Sequence, residues 1–257
     1  MSTPKTDEKI NESFKAENTE VFISTKKFEG FTYRVLALQK KNDSTLPTVV
    51  FIHGSIGSAI NFKKYLTDKD LNKKANLIAY DRVGYGVFQT GDVQESIEFE
   101  KNLLEDLIKN IPSEKIILVG YSYGGPIALA SNKTYKKVIL LAPAVYSKVE
   151  PMPWALNFYK WKLTQWLVPE VWKAASKEKI SHPKDLKNFE NKWNLNVNEI
   201  ISFHGDKDWI VPYDNSVYLK KQYINGNYKL ITLPNAGHGL VWTRFKEIKT
   251  TLLQQLN

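Results

Sequence analysis

Short apolar runs alternate with amphipathic stretches along most of the chain. Val21–Ser24 and Thr32–Leu38 alternate with a period of two around Glu29-Gly30, which predicts an antiparallel hairpin. Thr48–Ile52, Leu77–Tyr80, Lys115–Val119, Val138–Leu141, Glu199–Phe203 and Tyr228–Leu233 are strand-length and rich in apolar or β-branched residues, as in strands covered on both faces. Between them, Ser58–Asp70, Glu95–Asn110, Pro126–Ser131, Tyr213–Tyr223 and Thr243–Leu256 predict helices. In Glu95–Asn110 the helical spacing of Ile97, Leu103, Leu104, Leu107 and Ile108 supplies one buried face.

This alternation predicts an α/β fold, a mostly parallel central sheet flanked by helices. It breaks after the sixth strand, between residues 144 and 195, where five of the seven tryptophans fall. The expected organisation is therefore a flexible polar tail over 1–20, a core made of 21–143 and 196–257, and a small helical lid inserted over 144–195. Within the insertion, Pro153–Val168 is apolar almost all round, as in a helix packed between other elements. Its aromatics can instead line a pocket or touch lipid.

Composition narrows the class. The 257 residues suffice for one domain with a sizeable core, and 42% hydrophobic with 25% charged residues is ordinary for a soluble enzyme. No apolar run approaches the roughly 18 residues of a membrane span. The net charge of +9 is carried almost wholly by scattered lysines, with arginine only at 34, 82 and 244. That is a solvated surface rather than a nucleic-acid stripe, so no nucleic-acid partner is expected. With no cysteine, disulfides, thiolate metal sites and a thiol nucleophile are excluded. The first 20 residues lack the apolar centre of a signal peptide, and the cytoplasm is the default compartment. The opening Met-Ser-Thr-Pro-Lys and its polar continuation also fit a mature envelope lipoprotein whose leader and lipidated cysteine are replaced by methionine. Nothing in the sequence sets an oligomeric state.

The chemistry concentrates at strand ends. Gly120-Tyr121-Ser122-Tyr123-Gly124 lies between a strand and a helix, placing a serine at a sharp turn. Asp206 and Asp208 follow the strand ending at Phe203, and His238 follows the one ending at Leu233. A serine hydroxyl is a weak nucleophile at neutral pH; it needs a base, and the base needs a carboxylate to orient it. Ser122, one of these aspartates and His238 meet that need. A metal reading from His204, Asp206 and His238 lacks any dense ligand motif, and neither metal nor cofactor is expected.

From about residue 20 onward the chain resembles the α/β-hydrolase superfamily. The resemblance rests on His53-Gly54, Asp81-x-x-Gly84-x-Gly86, Gly120-x-Ser122-x-Gly124, Gly205-x-x-Asp208 and Gly237-His238, in that order. It implies a catalytic triad of Ser122 as nucleophile, His238 as base and Asp208, the residue ending Gly-x-x-Asp before Val211-Pro212, as the acid. It also implies an oxyanion hole from the backbone N–H groups of Tyr123 and Ser55, with Ile56 the neighbouring alternative. Dehalogenase and epoxide-hydrolase relatives carry aspartate where this chain has Ser122. Ile56, Trp154, Phe158, Trp161, Trp209 and Trp242 are the expected pocket residues. The resulting expectation is a serine hydrolase, a carboxylesterase acting on small to medium hydrophobic esters. The same triad serves thioester, lactone, amide or carbon–carbon substrates, and a binding protein with little turnover is the other class.

Overall fold

The computed structural model describes residues 4–152, 156–161, 163–193, 199–223 and 226–256. Its strands are β1 (Phe22–Phe28), β2 (Phe31–Ala37), β3 (Thr48–Ile52), β4 (Asn76–Tyr80), β5 (Ile116–Tyr121), β6 (Lys137–Leu141), β7 (Ile200–Gly205) and β8 (Tyr228–Leu233). They form one sheet in the order β1-β2-β4-β3-β5-β6-β7-β8. β2 pairs antiparallel with β1 and β4, and every other pairing is parallel. The helices are α1 (Asp7–Lys15), α2 (Lys63–Leu66), α3 (Lys69–Asn72), α4 (Ile97–Leu107), α5 (Gly124–Ala130), α6 (Leu156–Lys160), α7 (Glu170–Phe189), α8 (Asp214–Gln222), α9 (Leu240–Thr243) and α10 (Phe245–Gln255).

Side chains alternate across each strand, so every strand feeds two cores. Val49, Phe51, Leu77, Ala79, Ile117, Val119, Ile139 and Leu141 pack on one face with Ile10, Phe14, Tyr65, Leu66, Ile248 and Leu252. Val50, Ile52, Ile78, Tyr80, Leu118, Val138 and Leu140 pack on the other with Ile97, Leu103, Leu104, Ile127 and Leu219. Burial on both faces explains why the parallel strands read as continuous apolar runs. Among the described residues no helix is long and apolar enough to cross a membrane.

Three expectations need correction. The opening segment is not wholly a flexible tail: α1 forms within it, and Ile10 and Phe14, four residues apart, are fully buried. The Thr6 hydroxyl caps α1, and Arg34 Nη1 donates to Lys5 O and Asp7 Oδ1, both at 2.8 Å. Two apolar residues in a polar stretch are a faint signal, and the anchoring partner lies on β2. The single helix expected over Ser58–Asp70 is a 3-10 turn at Ala59–Phe62 followed by α2 and α3. Asp68 Oδ1 accepts from Asp70 N and Leu71 N at 3.1 Å, starting a new helix where the old one would have continued. Finally, the apolar stretch of the insertion is not packed all round. Trp161, Leu163, Trp166 and Leu167 are 61%, 88%, 74% and 61% exposed, because α6 and the 3-10 turn Gln165–Leu167 are too short to seat them.

Candidate active site

β5 ends one residue before Ser122, and α5 begins two residues after it. This abrupt reversal forces Ser122 to a φ of +54°, a left-handed conformation that costs an L residue roughly 1–3 kcal/mol. The strained residue is held in place: Ser122 N–H donates to Leu141 O at 2.9 Å, and Ser122 O accepts from Gly125 N at 2.9 Å and Ala144 N at 3.2 Å. Gly120 lets the turn close, since a Cβ there would stand 2.4 Å from Gly124 O.

The loops after β7 and β8 bring up two further groups. His238 Nε2 lies 3.1 Å from Ser122 Oγ, and His238 Nδ1 lies 2.8 Å from Asp208 Oδ2. Asp208 is buried, and its other oxygen, Oδ1, accepts from Ile210 N at 3.0 Å and Val211 N at 2.9 Å. A carboxylate on Nδ1 keeps the imidazole proton there and leaves the Nε2 lone pair facing the serine hydroxyl. Asp206 turns elsewhere, its Oδ1 accepting from Asn235 N at 2.7 Å. Of the two aspartates, Asp208 faces the histidine. Among the described residues no cluster of three or more His, Asp or Glu groups is placed to hold a metal ion.

The turn after β3 runs alongside. A Cβ on Gly54 would lie 2.6 Å from Ser122 Cβ and 3.2 Å from its Oγ, so the peptide leading into Ser55 passes directly beside the serine. Gly57 N–H closes this turn on Gly54 O at 3.2 Å. Ile56, its second central residue, has a φ of +56°, a strained value for a β-branched side chain. Of the expected pocket residues, Trp242 packs edge-on to Tyr121 (5.8 Å) and donates its indole N–H to Asn61 O at 3.1 Å. Trp209 and Trp161 are mostly exposed, and Ile56 is half-buried. Trp154 and the side chain of Phe158 lie outside the described residues.

The remaining histidines are buried and bonded. His53 Nδ1 donates to Gly54 O at 2.7 Å while its Nε2 accepts from Arg82 N–H at 2.9 Å. His204 sits between Ser216 Oγ (2.7 Å) and Val211 O (2.9 Å). His182 on α7 bonds Ala144 O at 3.0 Å and packs its ring 4.6 Å from that of Tyr123. Burial holds both His53 and His182 near a pKa of about 3, below the ordinary 6.5. The unfolded chain therefore binds more protons than the folded one between those values, and stability falls as pH drops through that window. Each histidine contributes a slope of about 1.4 kcal/mol per pH unit. In urea titrations between pH 6 and 4, His182→Gln, whose amide can still reach Ala144 O, should lose stability less steeply than wild type by about that amount. Equal slopes would show that His182 is not held neutral.

Several residues at the site escaped the sequence. The Tyr121 hydroxyl donates to His238 O at 3.1 Å, and its ring lies 5.1 Å from the imidazole. Beneath the Ser55 turn, the fully buried Arg82 guanidinium pairs with Glu178 of α7 and Glu100 of α4, and lies 4.3 Å over the Tyr123 ring. Burial pushes the Glu100 carboxyl up to about 7. Glu150 is also buried, pairs with Lys179 and interacts electrostatically with His238. The Asp81-Arg82 turn was visible in the sequence, but none of the three glutamates stands in any motif that would have marked it.

Known structures share this architecture. An alpha/beta hydrolase fold protein from Burkholderia ambifaria is 18% identical, with 90% of this chain and 97% of that chain covered and a TM-score of 0.70. An esterase from Exiguobacterium antarcticum is also 18% identical, with 91% and 98% covered and a TM-score of 0.66. A thioesterase domain from the curacin biosynthetic pathway is 14% identical, with 92% and 100% covered and a TM-score of 0.65. The model of the alpha/beta hydrolase family matches residues 49–248, spanning the Ser122 turn and both loops that face it, and the chain belongs to that family.

Proposed function

We propose that this hydrolase is a serine carboxylesterase working through an acyl-enzyme, on small to medium hydrophobic esters. The observation that carries the reading is His238 bridging Asp208 and Ser122 at hydrogen-bond distance on both sides. Ser122 Oγ attacks the ester carbonyl as its proton passes to His238 Nε2. Asp208 stabilises the resulting imidazolium. The carbonyl oxygen becomes an oxyanion, received by the backbone N–H groups of Tyr123 and Ser55. The closeness of Gly54 to Ser122 favours the Ser55 N–H for this role. Collapse of the tetrahedral intermediate breaks the ester C–O bond, and His238 returns its proton to the departing alcohol. Water then attacks the acyl-serine by the same route, with His238 as base, releasing the acid and restoring the serine.

No cofactor or metal enters this scheme. Residues 144–195 act as a lid over the core formed by 21–143 and 196–257. In support, His182 of α7 packs on Tyr123, and Glu178 of α7 pairs with Arg82 of the core. The exposed apolar surface of Trp209, Ile210 and Trp242, next to the acid and base loops, favours apolar acyl groups.

The test is a fluorophosphonate probe followed by peptide mass analysis, alongside p-nitrophenyl esters from acetate upward. A single adduct on Ser122, with turnover that varies with acyl length, is expected. A folded protein that neither labels at Ser122 nor hydrolyses any ester would sink the reading.

A further inference from the structure

We propose that Glu178 is a positioning residue for the reaction, holding the Ser55 turn in the geometry that receives the oxyanion. The inference rests on the serine-hydrolase reading above and adds to it a residue from the insertion.

Glu178 lies on α7, 123 residues from Ser55 in sequence, and is 1% exposed. The Ser55 hydroxyl donates to its Oε2. The same oxygen accepts from Tyr85 OH at 2.7 Å and stands 3.5 Å from Arg82 Nη1, while Oε1 takes Arg82 Nη2. The carboxylate is thus fixed by a buried cation and a phenol, and its Oε2 also takes the Ser55 hydroxyl. A charged acceptor in a low-dielectric site makes the stronger kind of hydrogen bond.

The turn needs such an anchor. Ile56 is held at a φ of +56°, and rotating the Ser55–Ile56 peptide would return it to the common negative-φ region. That rotation moves the backbone at Ser55, whose N–H must stay aimed at the oxyanion. The Ser55 hydroxyl donates to Glu178 and also interacts with the Tyr85 hydroxyl, which is bound to the same carboxylate oxygen. Because the anchor aligns a donor that matters most in the transition state, its loss should appear in kcat rather than KM.

Four variants test this. Ser55→Ala keeps the backbone N–H and removes the anchor; kcat for p-nitrophenyl ester hydrolysis should fall about tenfold, with KM within about twofold. Ser55→Thr restores the hydroxyl and should recover most of kcat. Glu178→Gln should slow kcat comparably, and the Ser55→Ala/Glu178→Gln double variant should be no slower than the worse single one, since both break one interaction. Full kcat in folded Ser55→Ala, or losses that simply add in the double variant, would overturn the assignment. Wild-type labelling separates the two readings. An adduct on Ser122 with an unaffected Ser55→Ala removes only the role of Glu178. No adduct removes the hydrolase mechanism, and this inference with it.

Discussion

Asp208→Asn is expected to lower kcat/KM for ester hydrolysis by about 10⁴, with little change in thermal stability. The size of the effect follows from the hydrogen bonds around the carboxylate. Oδ1 accepts from two backbone N–H groups, Ile210 at 3.0 Å and Val211 at 2.9 Å. An asparagine must keep its carbonyl oxygen there, because an NH₂ would face two donors. Its NH₂ then takes the place of Oδ2 and points at His238 Nδ1, 2.8 Å away in the wild type. The imidazole answers by presenting its lone pair at Nδ1 and carrying its proton on Nε2, opposite Ser122. In that tautomer it cannot accept the serine proton. Steady-state kinetics with a p-nitrophenyl ester measures the loss, and slower fluorophosphonate labelling should accompany it. Activity within tenfold of wild type would mean that Asp208 does not set the tautomer.

Gly124→Ala should cost about 3 kcal/mol of stability, read as a lower urea midpoint at unchanged m-value. A Cβ at this position would lie 2.2 Å from Ile52 O and 3.1 Å from His53 O. Those atoms are backbone at the buried end of β3, which is paired on both sides with β4 and β5 and has no room to retreat. The strain must pass into α5 or into the His53-Gly54-Ser55 turn, so activity should fall together with stability. Gly30→Ala makes a useful contrast. A Cβ there meets nothing within 4 Å, but φ is +84°, so only the backbone penalty of about 1 kcal/mol applies. Comparable midpoints for the two variants would show that the α5–β3 contact yields more readily than its geometry implies.

The legibility of the site follows from how its residues are supplied. Ser122, Asp208 and His238 each follow a strand whose apolar run is unmistakable, and parallel strands present their carboxyl ends on one edge. Their placement on one edge of the sheet is therefore legible in the sequence. The hairpin and the buried strands were readable for a related reason, since burial on one or both faces writes a period of two or an unbroken apolar run.

Other features depended on partners far away in sequence. α1 is marked only by Ile10 and Phe14, and its remaining support comes from Arg34 on β2. The break between α2 and α3 hinges on one side-chain cap at Asp68. The aromatic stretch of the insertion looked like packing material because hydrophobicity alone does not say whether a surface exists to receive it. In the fold, Trp161, Trp166 and Leu167 remain largely in solvent.

The sequence by itself determined the α/β layering, the sharp turn at Ser122 and the order of serine, aspartate and histidine, because local periodicity and strand-end position encode them. Only the tertiary structure decided where α1 docks and that Glu178 of α7 grips Ser55 beneath the site. Those choices are hydrogen bonds between groups 27 to 123 residues apart. Such bonds depend on where the folded backbone places two side chains, and neither side chain's local sequence records its distant partner.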